Sequence, residues 1–514
     1  MKNISDRLAA LSPEQLKLLK ERLKNADIDI DVDAGARGTT GDGFAVTPIT
    51  PAEAREYYPL SSVQRRLFML SRFEGTGIVY NVFTVKIAEG DLDKKKVETA
   101  FKSIVKRHEA FRTSFEYVAG EPVQRIRKPG DVDFKIECLD ARDKEDAKNR
   151  VERFIRPFDL SRPPLLRVGI ITLSETESIL MYDSHHIIID GGSKGILAQE
   201  FIALYNGRDL PVINIQYKDF SQWLNSAGTR AALERQETYW LKTFEGEIPV
   251  LDLPVDYPRP AEKVYDGDNV RFEIEKNQVR ALRKLAAEKN TTLFTVLLSL
   301  YYVFLSRISR QKDIVVGIPI AGRRHVAGEN IIGMFVNTLA LRNRPEGEIP
   351  FENFLEQVKR HTLDAFENQD YQFEDLVNKV IKHRDVSRNP IFDVFFSFTY
   401  PGVSAELEEE WGKEGMAGLK IGPYRDDISL SMFDLYLAGT EAKGETDELF
   451  LCFIYAAALF KKETVERFTG YFKEIVSSVA GDKRVRLKDI KMSHDLGIAK
   501  STVFTDREEM DFDF

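Results

Sequence analysis

The sequence predicts an α/β protein built as two halves of similar size, and three observations carry that prediction. At 514 residues, 43% of them hydrophobic, the chain is long for one core and well supplied for two. Segments in which apolar and polar residues alternate are interleaved with segments repeating every three to four residues, so strand and helix take turns along the chain. The proline-rich stretch "IPVLDLPVDYPRP", from Ile248 to Pro260, interrupts this order near its middle and separates one series from the next.

Residues 1–26 hold a short amphipathic helix, because "SPEQLKLLKERL" supplies Ser12 as N-cap, Pro13 at the first helical position, Gln15 for a capping box, and Leu16, Leu19 and Leu23 on one face. Residues 27–57, rich in Gly, Thr and Asp and without a helical period, read as a flexible linker. Their "GARGTTGDG" lacks the lysine that a phosphate-cradling loop requires, so no nucleotide site is expected. The first half, 58–227, opens with the alternating strand "NVFTVKIAEG", in which Phe83, Val85 and Ile87 share a face. A helix follows on Val97, Phe101, Ile104, Val105 and His108, then strands at "EPVQRIRKP", "LLRVGIITL" and "SILMYDSHHIII", and helices from Gly195 and from Tyr217. In the second half, 228–495, the strand "NVRFEIE" leads to a long buried helix containing "LFTVLLSLYYVFL". The strand "DIVVGIPI", a helix over Phe354–Phe366 and the strands "PIFDVFFSFTY" and "LFLCFIYA" come next. No internal repeat relates the halves. The tail, 496–514, is acidic and expected to be loose.

Charge and composition exclude several classes of function. A net charge of −9 without a dense Lys/Arg stripe argues against a nucleic-acid partner, since neutralising phosphates takes clustered cations. Cys138 and Cys452, far apart, give neither a disulfide framework nor a metal-binding spacing, which points to a reducing compartment. The start lacks the apolar core of a signal peptide, and the run Leu293–Leu305 falls short of the about 20 apolar residues of a membrane span. A cytoplasmic protein with no membrane association and no metal is therefore expected.

The segment "MYDSHHIIIDGGSKG", Met181 to Gly195, concentrates the chemistry. A histidine on an apolar strand is ordinarily a packed core residue. Here Asp190-Gly191-Gly192 is strong turn chemistry, which puts His186 at or near the end of its strand, where side chains reach an interface or cleft. Consecutive strand residues face opposite sides, so His185 and His186 enter one cleft together only if the strand has already broken.

These residues carry a resemblance. "HHIIIDG" resembles the HHxxxDG signature of condensation domains from nonribosomal peptide synthetases. "SSVQRRLFML" from Ser61, "RHEAFRTSF" from Arg107, "YKDFSQW" from Tyr217, "IIGMFVNTL" from Ile331, "NQDYQFEDL" from Asn368 and "RDVSRNPIF" from Arg384 resemble its other motifs in order and spacing, from about Tyr58 to Asp489. The resemblance implies two chloramphenicol-acetyltransferase-like lobes arranged as a V-shaped pseudo-dimer with a tunnel between them. It also implies amide-bond formation between a donor thioester and the amine of an acceptor thioester, both held on phosphopantetheine arms of carrier proteins. Upstream and downstream carriers and neighbouring synthetase modules would be the partners, and the chain would bind no cofactor of its own. Gly192-Ser193 is not a carrier's attachment serine, because the flanking residues of that motif are missing.

By the same resemblance, His186 is the catalytic residue, as a general base or by positioning the amine, and His185 is structural. Asp190, buried in its turn, needs a cation, which the family supplies from the second lobe; Arg323 is assigned, with Arg324 as the alternative. Gly191 serves backbone geometry and close approach of the substrate arm. Gly192, Ser193 and Asn337 are candidates to line the tunnel, and Gly192 departs from the larger residue many relatives carry. Phe335 and Val336 read as core, and Arg107 and His108 as packing or lobe-stabilising residues. The alternatives are an epimerisation domain of the same superfamily, a coenzyme A-dependent acyltransferase, and a non-catalytic recruitment platform. The N-terminal helix is a possible docking element.

Overall fold

The computed structural model describes residues 48–72, 77–326, 330–383, 385–399, 415–416, 418–424, 430–441 and 447–492. The helix expected within 1–26, most of the expected linker and the acidic tail lie outside the described residues.

The first half runs β1 (Tyr58–Pro59), α1 (Ser62–Leu70), β2 (Asn81–Glu89), α2 (Lys94–Arg107), β3 (Thr113–Val118), β4 (Glu121–Ile126), β5 (Glu137–Asp140), α3 (Lys144–Phe154), β6 (Leu166–Ser174), β7 (Glu177–His185), α4 (Gly191–Tyr205) and α5 (Tyr217–Leu224). The helices start where the sequence caps them: the Asp93 carboxylate accepts from the amides of Lys95 and Lys96 at the head of α2, and Lys106 and Arg107 complement the dipole at its end. On one side of the sheet, Ala147, Val151 and Phe154 of α3 pack against Val85, Ile171, Ile179 and Met181. α2 meets α4 through Phe101 and Phe201, whose rings stack at 4.6 Å. β7 is covered on both faces, which is why its sequence reads as a continuous apolar run rather than an alternation.

The second half runs α6 (Ala227–Thr243), β8 (Gly267–Ile274), α7 (Lys276–Glu288), α8 (Leu293–Ser309), β9 (Ile314–Ile320), β10 (Asn337–Asn343), α9 (Phe351–Glu367), α10 (Phe373–Val380), β11 (Val394–Thr399), β12 (Lys420–Pro423), β13 (Leu435–Glu441), β14 (Leu449–Ala456) and α11 (Lys462–Gly481). Six strands form one sheet in the order β10-β9-β11-β13-β14-β8. α8 is buried nearly all round, so it carries apolar residues on every face, and Tyr301, Tyr302 and Phe304 lie fully inside. No single helix among the described residues is long and apolar enough to cross a membrane.

Three boundaries differ from the sequence reading. Residues from Ile49 belong with the body rather than with a linker extending to 57, because the Ala52 amide donates to Asp219 and the Arg55 amide to the Tyr58 hydroxyl, both at 2.9 Å. β7 stops at His185 instead of running on to Ile189: the chain closes into a turn, with the amides of Ile188 and Ile189 donating to the carbonyls of His185 and His186. Finally, β12, assigned by order to the second half, pairs antiparallel with β2, from Lys420 opposite Glu89 to Pro423 opposite Lys86. The first sheet is thus β12-β2-β7-β6-β5, closed at one edge by a strand from the other half.

Candidate active site

β7 delivers both histidines and the turn after it separates them. His185 is 5% exposed, its Nδ1 accepting from the Ile187 amide at 3.1 Å, with Tyr80 and Phe158 packed about the ring. Burial brings its pKa down to about 3, so it is a neutral structural group. His186 is half-buried, and its backbone amide donates to the Tyr80 carbonyl at 2.7 Å. Its Nδ1 lies 2.8 Å from the Ile189 carbonyl. A carbonyl can only accept, so Nδ1 carries the proton and Nε2 presents its lone pair. Burial lowers the pKa of His186, against the opposing pull of Asp190, and Lys194 lowers it a little further. The imidazole is held neutral, in one tautomer.

Asp190 does not touch this ring by hydrogen bond. It is fully buried as the N-cap of α4, with Oδ1 accepting from the Ser193 amide at 2.7 Å and from Arg323 Nη2 at 2.9 Å, and Oδ2 accepting from the Phe335 amide at 2.9 Å. Arg323 also donates to Ser193 Oγ at 2.7 Å and, through Nη1, to the Ile331 carbonyl at 2.9 Å, with its guanidinium 4.2 Å from the centre of the Phe335 ring. Arg324 turns instead toward Asp370, at 3.7 Å. Arg323 is therefore the partner, and the pair joins the two halves.

The glycines divide. Gly191 has an ordinary φ and open space where a Cβ would stand, so its backbone conformation does not require glycine. A Cβ on Gly192 would come 2.9 Å from Arg323 Nε, so the arginine occupies the room that a side chain would take. Both are exposed. Ser193 and Asn337, expected to line a tunnel, are spent on hydrogen bonds within the protein instead. Ser193 is fully buried, its hydroxyl donating to the Gly333 carbonyl at 2.8 Å and accepting from the Gly333 amide at 3.0 Å. Asn337 is 2% exposed; its amide donates to the carbonyls of Gln369 and Tyr371 and its oxygen accepts from the Phe373 amide, which leaves no free polar atom for a ligand.

Supporting residues that the sequence did not single out surround this core. Glu200 of α4 accepts from Arg107 Nε at 3.1 Å and pairs with His108 Nε2 at 2.6 Å, so the end of α2 fixes the helix that follows the turn. Gln64 of α1 donates to the Ile187 carbonyl at 3.3 Å. Tyr217 donates to the Met334 carbonyl at 2.6 Å, and its ring leaves room only for glycine at 333, where a Cβ would lie 2.0 Å from Tyr217 Cδ2. Partners some ninety or more residues apart leave no local signal; only membership of the quoted motifs could have pointed to Gln64 and Tyr217, while Gly333, expected with Asn337 to line a tunnel, packs under the Tyr217 ring instead.

Two sheet-and-helix halves joined through a buried Asp-Arg pair define a chloramphenicol-acetyltransferase-like pseudo-dimer, the fold of the solved structures this chain resembles. One is the X-domain from teicoplanin biosynthesis, with a TM-score of 0.80 at 22% identity, covering 87% of this chain and 100% of that one. Another is a four-domain nonribosomal peptide synthetase bound to AMP and glycine, with a TM-score of 0.75 at 21% identity, covering 86% of this chain and 34% of that one. A family model, the condensation domain, matches residues 54–499, and the chain belongs to that family. It is 44% identical to gramicidin S synthase 2 of Aneurinibacillus migulanus over 457 residues, which is 89% of this chain and 10% of that protein. It is likewise 44% identical to tyrocidine synthase 3 of Brevibacillus parabrevis over 477 residues, 93% of this chain and 7% of that protein. The chain thus spans a tenth or less of the length of these two relatives.

Proposed function

We propose that this chain forms an amide bond between a donor aminoacyl or peptidyl thioester and the amine of an acceptor aminoacyl thioester, each carried on the phosphopantetheine arm of a carrier protein in nonribosomal peptide synthesis. The observation that carries this reading is His186: a half-buried, neutral imidazole whose Nδ1 proton is committed to the Ile189 carbonyl, leaving Nε2 as an acceptor. The acceptor's neutral amine attacks the thioester carbonyl, a tetrahedral intermediate forms, and the C–S bond breaks as the amine loses a proton. Nε2 is suited to take that proton or to hold the amine for attack. Asp190 shapes the turn through Arg323 rather than sharing the proton. An upstream carrier would bring the donor and a downstream carrier the acceptor, in a cytoplasmic, reducing setting. The family match favours condensation over epimerisation, and the retained His186 argues against a recruitment platform.

Intact-mass analysis of donor- and acceptor-loaded carriers mixed with this chain tests the reading. Mass gain on the acceptor carrier equal to the donor acyl group is expected, whereas transfer from coenzyme A thioesters alone would assign the acyltransferase reading. An acceptor that gains no mass, with a donor residue that exchanges its α-proton, would assign epimerisation.

A further inference from the structure

α8 ends at Ser309, and Arg310 turns the chain by adopting the left-handed conformation, with φ of 60°. Beside that turn lies a cleft of about 340 Å³, formed by the end of α8, the loop after β10 and the segment Leu487 to Met492. Arg307, Arg310, Lys312 and Lys488 line it, and among the described residues that do so none is acidic. Arg307 is held by the carbonyls of Lys488 and Ile490, at 3.4 and 3.2 Å. Of the four cations only Lys488 has a carboxylate within ion-pairing distance among the described residues, the exposed Glu348 at 2.9 Å. Like charges gathered on one surface repel unless an anion joins them. The floor is apolar, with Val303 and Leu487 buried and Met492 half-buried.

Met492, at one edge of the cleft, leads directly into the acidic tail. In "TDREEMDFDF", Thr505 to Phe514, five carboxylates accompany one arginine. An extended chain would set Glu509, Asp511 and Asp513 on one side and Met510, Phe512 and Phe514 on the other. That alternation matches a cleft with a cationic rim and an apolar floor, whereas a bare inorganic anion would leave the floor unused. Asp506 follows Met492 by fourteen positions, enough chain to span about 20 Å on average and fold back.

We propose that this cleft docks the acidic segment 505–514 of the same chain, with its carboxylates on the four cations and its apolar side chains over the floor. The inference does not depend on the amide-forming reading. A tethered segment is present at its own cleft at roughly millimolar effective concentration, so it should exclude the same segment offered free in solution.

A fluorescent peptide of Thr505–Phe514, amidated at its end so that only side chains supply negative charge, is titrated by anisotropy against two full-length chains. One is unmodified; in the other Asp506→Asn, Glu508→Gln, Glu509→Gln, Asp511→Asn and Asp513→Asn neutralise the tail. The peptide should bind the neutralised chain with a Kd of about 0.1 mM or tighter and the unmodified chain roughly ten-fold or more weakly, because the tethered tail competes. In the neutralised chain, Arg310→Gln with Lys312→Gln should abolish binding, Arg310→Lys with Lys312→Arg should keep it, and added salt should weaken it. Equal affinity for the two chains, binding untouched by the glutamine pair, or no binding to the neutralised chain at about 1 mM peptide would each overturn the proposal. Self-association of the unmodified chain that disappears when the tail is neutralised would seat the tail in a second copy's cleft and overturn docking within one chain.

Discussion

At the scale of single residues, His186 and Asp190 sit four positions apart and do different work. Replacing His186 with alanine removes the Nε2 lone pair that the proposed reaction uses. Condensation should drop by roughly 10²- to 10⁴-fold with the melting temperature unchanged, as checked by single-turnover rates beside thermal unfolding. Asp190 and Arg323 behave as a pair. With Asp190 fully buried and Arg323 largely so, losing either leaves its partner uncompensated, at a cost of about 3 to 5 kcal/mol. The double substitution should cost much less than the sum, whereas additivity within about 0.5 kcal/mol in chemical denaturation would refute the coupling. The neighbouring glycines separate by the same geometry. Gly192→Ala brings a Cβ onto Arg323 Nε and should cost about 1 to 3 kcal/mol, while Gly191→Ala meets open space and should be neutral or slightly stabilising.

At the scale of the element, β7 holds two buried titratable groups on one face. Asp183, fully buried, accepts from Asn81 Nδ2 at 2.8 Å and Arg167 Nη1 at 3.0 Å. Burial outweighs these partners and pushes its pKa up to about 7, while that of His185 falls to about 3. Their effects on stability have opposite sign. Between about 3 and 6.5 the unfolded chain holds a proton on His185 that the folded chain lacks, so this histidine makes stability fall on acidification. Between 3.8 and about 7 the folded chain holds a proton on Asp183 that the unfolded chain has lost, so this aspartate makes stability fall as pH rises. Each slope is at most about 1.4 kcal/mol per pH unit, and together they nearly cancel where the windows overlap. Asp183→Asn should therefore expose a stability that climbs with pH up to about 6.5, and His185→Asn one that declines up to about 7. Urea unfolding across that range would show slopes of the same sign in both variants if the assignment were wrong.

At the scale of the whole molecule, the two halves are held by contacts that frame the site. Besides Asp190 with Arg323, Ser62 of α1 donates to Asp375 at 3.0 Å, Arg66 pairs with Glu374 at 2.8 Å, and β12 extends the first sheet. Tyr217 lies among them, bonded to Ser61 Oγ at 2.9 Å and to the Met334 carbonyl. Tyr217→Phe strips a buried carbonyl of its donor and should cost about 1 to 3 kcal/mol. Gly333→Ala, which cannot be accommodated without moving that ring, should destabilise as well and depress turnover by shifting the loop that carries Phe335 and Ser193's partners; melting temperature and single-turnover rate read both effects.

By itself the sequence determined the two α/β series, the strands at 81–89, 166–174 and 314–320, and the buried helix at 293–309. These follow from local periodicity, caps and turn residues, which act over a few positions. The family resemblance also pointed to Arg323 as the partner of Asp190, although the adjacent Arg324 could be told from it only when the fold sent one to Asp190 and the other to Asp370. α11 and β13 went unread although each carries a period: Val465, Phe468, Phe472, Ile475 and Val479 are buried at helical spacing, and Leu435, Leu437 and Gly439 are buried in alternation. The crossing of β12 onto β2, the end of β7 at His185, the committed hydrogen bonds of Ser193 and Asn337, and the neutral tautomer of His186 belonged to the tertiary structure. Each depends on a backbone carbonyl, amide or charge brought from far along the chain, and whether a polar side chain is spent on the protein or left for a ligand is decided by those distant neighbours.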